Sequence, residues 1–289
     1  MSNICADAVT DAATYRQAAQ ENHDDPLLSG CLLEFPNYGQ LVMTGDLHGH
    51  QRNLERLQTY CDLQQAGARH VILHELIHED LGFNAEADHS HEVLLQAARW
   101  KCAFPEQVHF LLGNHELAQL TGREISKAGR ILTTDFALGV EGAYGPAGAE
   151  EVLDAILDFL SSFPLAGRTA NRVFLAHSLP GVREFADFNP SVLYRPLMAA
   201  DLVDGGSAYA LVWGRRQNAA LLEQLSEMLG VDLFICGHQP QETGFEVVDD
   251  RLLIIASDHN HGVFVPFDLG NPLNMSDLLR CMRPLAAIG

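Results

Sequence analysis

Short apolar runs recur along this chain, and each of the strongest stops at a glycine or at a polar residue. The first is Gln40-Leu41-Val42-Met43-Thr44, halted by Gly45-Asp46-Leu47-His48-Gly49. Runs of this length between turn residues predict strands. The same reading applies to Val71-Ile72-Leu73 before His74-Glu75, and to Val108 through Leu112 before Gly113-Asn114-His115-Glu116. It applies again to Val173-Phe174-Leu175 before Ala176-His177-Ser178, and to Leu233 through Cys236 before Gly237-His238. Residues 245–248 and 252–255 read as hairpin strands, and 263–267 as one more. Between them, helices are predicted at 51–63, 92–100, 150–162 and 218–229. The third carries an apolar stripe of Val152, Ile156, Leu157, Phe159 and Leu160 at helical spacing. Residues 78–90 read as a polar loop holding His89, with His74 and His91 at its borders. The Gly- and Ala-rich stretch 137–149 reads as a second loop, and 181–210 as irregular.

Strands alternating with helices, then strands clustering at the end, argue for a single α/β domain. Its expected extent is 31–289, after an N-terminal extension of residues 1–30, helical or frayed, broken by Asp24-Asp25-Pro26. In such a fold the strand C-termini share one edge of the sheet, which is where ligands bind. Five strand ends here carry metal-competent residues: Asp46 with His48, Glu75, Asn114 with His115, His177, and His238. One such ending is ordinary turn chemistry. Five of them place nitrogen and oxygen donors around one point, a set suited to zinc, manganese or iron and too large for one ion.

Composition narrows the picture. Against 18 basic residues stand 38 acidic ones, a formal charge of −20, which repels polynucleotides and anionic membranes. A phosphate ligand would need a local cation instead. Six scattered cysteines without a C-x-x-C pair fit free thiols in a reducing compartment. With no apolar run long enough to span a bilayer and no signal-peptide pattern, a cytoplasmic location is expected.

The order Gly45-Asp46-Leu47-His48-Gly49, Gly113-Asn114-His115-Glu116, His177, then Gly237-His238 resembles the calcineurin-like metallophosphoesterases. It is most similar to the phosphoprotein-phosphatase branch, which holds serine/threonine phosphatases and diadenosine-tetraphosphatases. The resemblance runs from about residue 39 to 268. It implies a four-layer α/β/β/α sandwich and a pair of divalent or trivalent ions, manganese, iron or zinc. It implies Asp46 and His48 on one ion, Asn114, His177 and His238 on the other, and Glu75 between them. His115 would be the general acid. Asn114 and Arg215, the latter within Leu211-Val212-Trp213-Gly214-Arg215-Arg216, would hold the phosphate.

One block departs from the family pattern G-D-x-x-D-R-G. Here the chain reads His74-Glu75-Leu76-Ile77-His78-Glu79-Asp80. Glu75 replaces the bridging Asp, His78 replaces the Asp that orients the catalytic histidine, and the family Arg is missing. Glu79, Asp80, Glu116 or His78 could take the orienting role. The expected function is hydrolysis of phosphate monoesters, on a phosphoprotein or a small molecule, by a hydroxide bridging two metals. Two alternatives stand beside it: an impaired pseudophosphatase that binds partners, and a phosphodiesterase or dinucleoside polyphosphate hydrolase.

Overall fold

The computed structural model describes residues 7–81 and 87–289. Two mixed sheets face each other. One has five strands, in the order Arg283–Pro284, Val263–Asp268, Gln40–Asp46, Arg69–His74, Val108–Leu111. The other has seven: Leu28–Ser29, Leu32–Phe35, Ala166–Thr169, Val173–Ala176, Leu233–Cys236, Leu252–Ile255, Phe245–Val248.

Period-two alternation makes the layers. Leu41, Met43, Ile72, Leu111, Val173, Leu175, Leu233, Ile235, Leu253 and Ile255 form one core between the sheets. Their neighbours Val42, Val71, Leu73, Phe110, Phe174, Phe234 and Ile254 point the other way, into a second core under the helices. Strands with both faces buried must be apolar at every position, which is why they read as continuous runs. The result is the expected α/β/β/α sandwich.

Helix Leu132–Ser161 replaces the loop expected at 137–149. Alanine between the glycines sustains the helix, and the break is confined to Gly145, at φ 69°, followed by Pro146. Segment 181–210 holds short turns of 3-10 helix and the start of helix Ser207–Trp213. The polar loop expected at 78–90 is described only outside 82–86, and two of its three histidines lie elsewhere: His74 ends a strand, and His91 is buried in helix Ser90–Ala103. Near the N-terminus, helix Ala8–His23 starts on an Asp7 cap. Its Ala12, Tyr15 and Ala18 are fully buried, and the Tyr15 hydroxyl donates to His91 O at 2.9 Å, so this helix shares the main core. Among the described residues, no helix is long and apolar enough to cross a membrane. The described cysteines, Cys31, Cys61, Cys102, Cys236 and Cys281, are free.

What positions the site is the direction of the strands. Gln40–Asp46, Arg69–His74 and Val108–Leu111 are mutually parallel, as are Val173–Ala176, Leu233–Cys236 and Leu252–Ile255. A parallel bridge between Asp46 and Ala256 joins the two sheets at their C-terminal edges. Gly45 makes that approach feasible: a Cβ there would lie 2.1 Å from Ile255 O. Its amide donates to Ser257 Oγ at 2.8 Å, and Ser257 N donates to Asp46 O at 3.1 Å. Gly45→Ala must therefore push the sheets apart at the site. The expected loss is about 1–3 kcal/mol of stability, read as a lowered urea midpoint with an unchanged m-value. A variant as stable as the parent would mean the edges are not locked together there.

Candidate metal centre

Four polar turns meet at this shared edge, and their backbones are stitched together. Leu47 N and His48 N both donate to Glu75 O, at 2.9 and 2.8 Å, and Gly49 N donates to Leu76 O at 2.9 Å. Glu116 Oε1 accepts from Leu76 N at 2.8 Å. His48, Glu75, His78 and His238 all take positive φ, at 42°, 48°, 64° and 67°. Side-chain-bearing residues pay a strain of order 1–3 kcal/mol there, so this edge is held in shape by what surrounds it.

Glu75 lies at the centre. Its Oε1 faces His48 Nε2 at 3.6 Å and His115 Nε2 at 3.5 Å, and its Oε2 faces His177 Nε2 at 3.3 Å. Beyond it, Asn114 Oδ1 lies 2.8 Å from both His177 Nε2 and His238 Nδ1. Asp46 takes two bonds from His238 N, each 2.9 Å, and its Oδ1 lies 3.6 Å from His177 Nδ1. The longer glutamate side chain thus reaches both donor groups with separate oxygens.

Ring-nitrogen partners set the tautomers. A carbonyl only accepts, so His48 Nδ1, 3.2 Å from Ile77 O, carries the hydrogen and leaves Nε2 bare toward Glu75. Arg215 Nε donates to His238 Nε2 at 2.9 Å, and His238 Nδ1 faces Asn114. His78 Nε2 lies 3.1 Å from Gln119 Oε1 and its Nδ1 lies 3.0 Å from His115 Nδ1. His78 therefore receives the His115 Nδ1 hydrogen. The other residues expected to orient His115 are engaged elsewhere: Glu116 with Leu76 N, Glu79 with His89 N, and Asp80 with Lys127.

Burial dominates the electrostatics. It pushes Asp46 up to about 7, and, with Asp46 and Glu116 adding repulsion, holds Glu75 well above the carboxylate range. Burial lowers His74 and His78 to about 4 and His238 to about 3, and holds His115 and His177 well below the usual value. Carboxylates that resist ionising, beside imidazoles that resist protonation, form a site that a cation would stabilise.

Two donor groups of three stand out among the described residues: Asp46 with His74 and His177, and His48 with Glu75 and His115. The sequence reading missed His74. Its signal was its place directly before Glu75, in a His-Glu-x-x-His spacing that binds zinc when it lies on a helix. Here His74 ends a strand and His78 follows in a turn, so the helical arrangement is absent. A cavity of about 330 Å³ opens over the centre, with Lys127, Trp213 and Arg215 on its wall.

The profile of the calcineurin-like phosphoesterases matches residues 40–242. The chain belongs to this family. Its fold is similar to that of a protein serine/threonine phosphatase from Saccharomyces cerevisiae with similarity to human phosphatase PP5. That likeness has TM-score 0.68 and 14% identity, covering 90% of this chain and 82% of that one. It is also similar to the cold-active protein-tyrosine phosphatase of a psychrophile Shewanella species, at TM-score 0.56 and 12% identity, covering 87% and 82%. Membership makes the chain a metal-dependent phosphoesterase, and its residues fit that cofactor. Buried Glu116 Oε2 has no partner, and a Cβ on Gly113 or Gly237 would strike the Glu75 or Asp46 carboxylate.

Metal should therefore stabilise the fold. At a free ion concentration 100 times Kd the gain is about 2.7 kcal/mol, visible as a raised Tm with Mn²⁺ or Zn²⁺ and lost in Asp46→Asn. Protons compete for the same oxygens. Since Asp46 is raised to about 7, the metal-induced shift in Tm should shrink as pH falls from 8 to 5. A shift that is constant over that range would contradict the buried-carboxylate account.

Proposed function

We propose that this phosphoesterase hydrolyses phosphate monoesters, with two ions held by Asp46, His48, Glu75, Asn114, His177 and His238. The observation that carries this reading is the Glu75 carboxylate, whose two oxygens face different histidines, 3.6 Å from His48 and 3.3 Å from His177. Such an ion pair would supply an activated water and neutralise the phosphoryl oxygens. The fold likeness to the yeast serine/threonine phosphatase supports a monoester substrate over a polynucleotide, as does the formal charge of −20.

The chain's own groups do the rest. Arg215 presents a planar fork of donors at the cavity wall and, with Asn114, holds the phosphate. Lys127, ion-paired with Asp80 at 3.1 Å, brings a second positive charge to the side where the family Arg is missing. With its Nδ1 hydrogen held by His78, His115 turns Nε2 toward the centre. Burial and the neighbouring His48 and His78 keep that nitrogen neutral, and a dianionic substrate favours its proton. His115 Nε2 then gives this proton to the leaving oxygen.

p-Nitrophenyl phosphate should be turned over with added Mn²⁺, and Asp46→Asn should abolish it. A fully metallated protein silent on aryl phosphates, phosphopeptides and dinucleoside polyphosphates would overturn the hydrolase reading in favour of a binding protein. His115→Ala should slow an alkyl phosphate about 10²–10⁴-fold, with a much smaller loss on p-nitrophenyl phosphate, whose leaving group needs little protonation. Equal losses on both substrates would remove His115 from the acid role.

A further inference from the structure

We infer that Arg183 and Arg216 form a second anion subsite beside the catalytic cavity, so that the preferred substrate is a phosphomonoester carrying a further phosphate or carboxylate. The inference rests on the monoester reading above and names the class of substrate that this site takes. A cavity of about 390 Å³ adjoins the one over the metal centre, and Trp213 and Arg215 line both. The rest of its lining is Val182, Arg183, Glu184 and Arg216. Three guanidiniums thus stand with one carboxylate, in a chain whose formal charge is −20. Among the described residues, none of the three is ion-paired. Arg215 is engaged on one edge with His238, its Nε donating to Nε2 at 2.9 Å and its Nη2 to the backbone O at 3.3 Å.

Like charges repel when gathered without partners, and here backbone packing gathers them. Segments 178–185 and 211–217 are pinned together. Ser178 N donates to Leu211 O at 2.9 Å, and Gln217 Nε2 donates to Leu179 O at 2.6 Å. Phe185 N donates to Gly181 O at 3.0 Å, which closes the turn carrying Arg183. The segments are glycine where they touch: a Cβ on Gly181 would lie 2.7 Å from Arg215 O, and one on Gly214 would lie 2.8 Å from Gly181 N. Arg216 takes φ 61°, a strained conformation for a residue with a side chain. The fold holds Arg183 and Arg216 beside Arg215 against both repulsion and strain, and a bound anion would offset the repulsion.

Trp213 is the wall between the two cavities. Its ring stacks on Tyr209 at 5.7 Å and 20°. Arg123 lies over both rings, 5.1 Å from the Tyr209 centre and 5.4 Å from that of Trp213. This braced indole and the exposed Val182 make an apolar stretch between two charged ends. A monoester held at Arg215 can extend past Trp213 toward Arg183 and Arg216, whose planar forks suit phosphate or carboxylate oxygens. A polynucleotide would bring many more charges against the acidic surface.

Uncleavable probes test the subsite by calorimetry on the Mn²⁺-loaded protein. A series of alkane-α,ω-diphosphonates of increasing length is compared with alkylphosphonates of the same lengths. At the best length the diphosphonate should bind about 10–100-fold more tightly. Arg183→Gln with Arg216→Gln should erase that gain and leave the monophosphonate unchanged; both side chains are exposed, so the fold does not depend on them. Arg251→Gln with Arg283→Gln removes the same charge outside both cavities and should keep the gain. An advantage absent at every length, retained in the first variant or lost in the second overturns the inference. Peptides bearing difluoromethylphosphonate in place of phosphate identify the source of the second anion. Tighter binding of a glutamate-flanked peptide than of its glutamine twin means a protein substrate, and a gain confined to the diphosphonates means a small molecule. No probe is cleaved, so a protein that shows the gain yet hydrolyses no phosphoester defeats the proposed function and leaves the subsite standing. A parent that binds neither kind of phosphonate overturns both.

Discussion

A carboxylate taken out of water without a cation beside it is costly in any protein, and this chain buries three of them together. Asp46, Glu75 and Glu116 lie between the ends of two sheets, and the bases nearest to Asp46 and Glu75 are histidines that burial keeps neutral. Among the described residues, no arginine or lysine is ion-paired with these carboxylates, and Arg215 is engaged with His238. The physical demand is for metal ions, and the remaining features of the edge serve that demand. Glu75 reaches both donor groups because its side chain is one methylene longer than aspartate. The positive-φ backbone at His48, Glu75, His78 and His238 aims four side chains inward from turns that would otherwise point them apart.

The departure of this chain from its family's usual second block has a coherent physical form. Histidine stands where the pattern has the first glycine and again where it has the second aspartate, on either side of Glu75. Each of these rings has its Nε2 tied to an oxygen, Thr44 O for His74 and Gln119 Oε1 for His78. Each thereby turns its Nδ1 toward another histidine, His177 in one case and His115 in the other. At His78 an imidazole replaces a carboxylate, and the cluster gains orientation without a fourth one. Pairing buried imidazoles in this way keeps their polar atoms satisfied while leaving the opposite nitrogens to face the centre.

Much of the architecture was legible along the chain. Apolar runs ended by Asp46, Glu75, Asn114, His177 and His238 located the strands and the shared edge, because strand alternation and turn chemistry are local properties. The long helix Leu132–Ser161 was misread because its glycines were taken as loop signals, when only Gly145 breaks it. The strands Leu32–Phe35 and Ala166–Thr169 escaped notice because Glu34 and Gly167-Arg168 interrupt their apolar runs, and they pair with each other across more than a hundred residues.

Sequence alone thus determined the fold class, the order of the donors and their place at strand ends. Tertiary structure decided which atoms of those donors meet. His74 and His177 are 103 positions apart, and His78 and His115 are 37 apart, so no local pattern says which nitrogen of one faces which nitrogen of the other. The close approach of the two sheets at Gly45 and Ile255 settles those contacts.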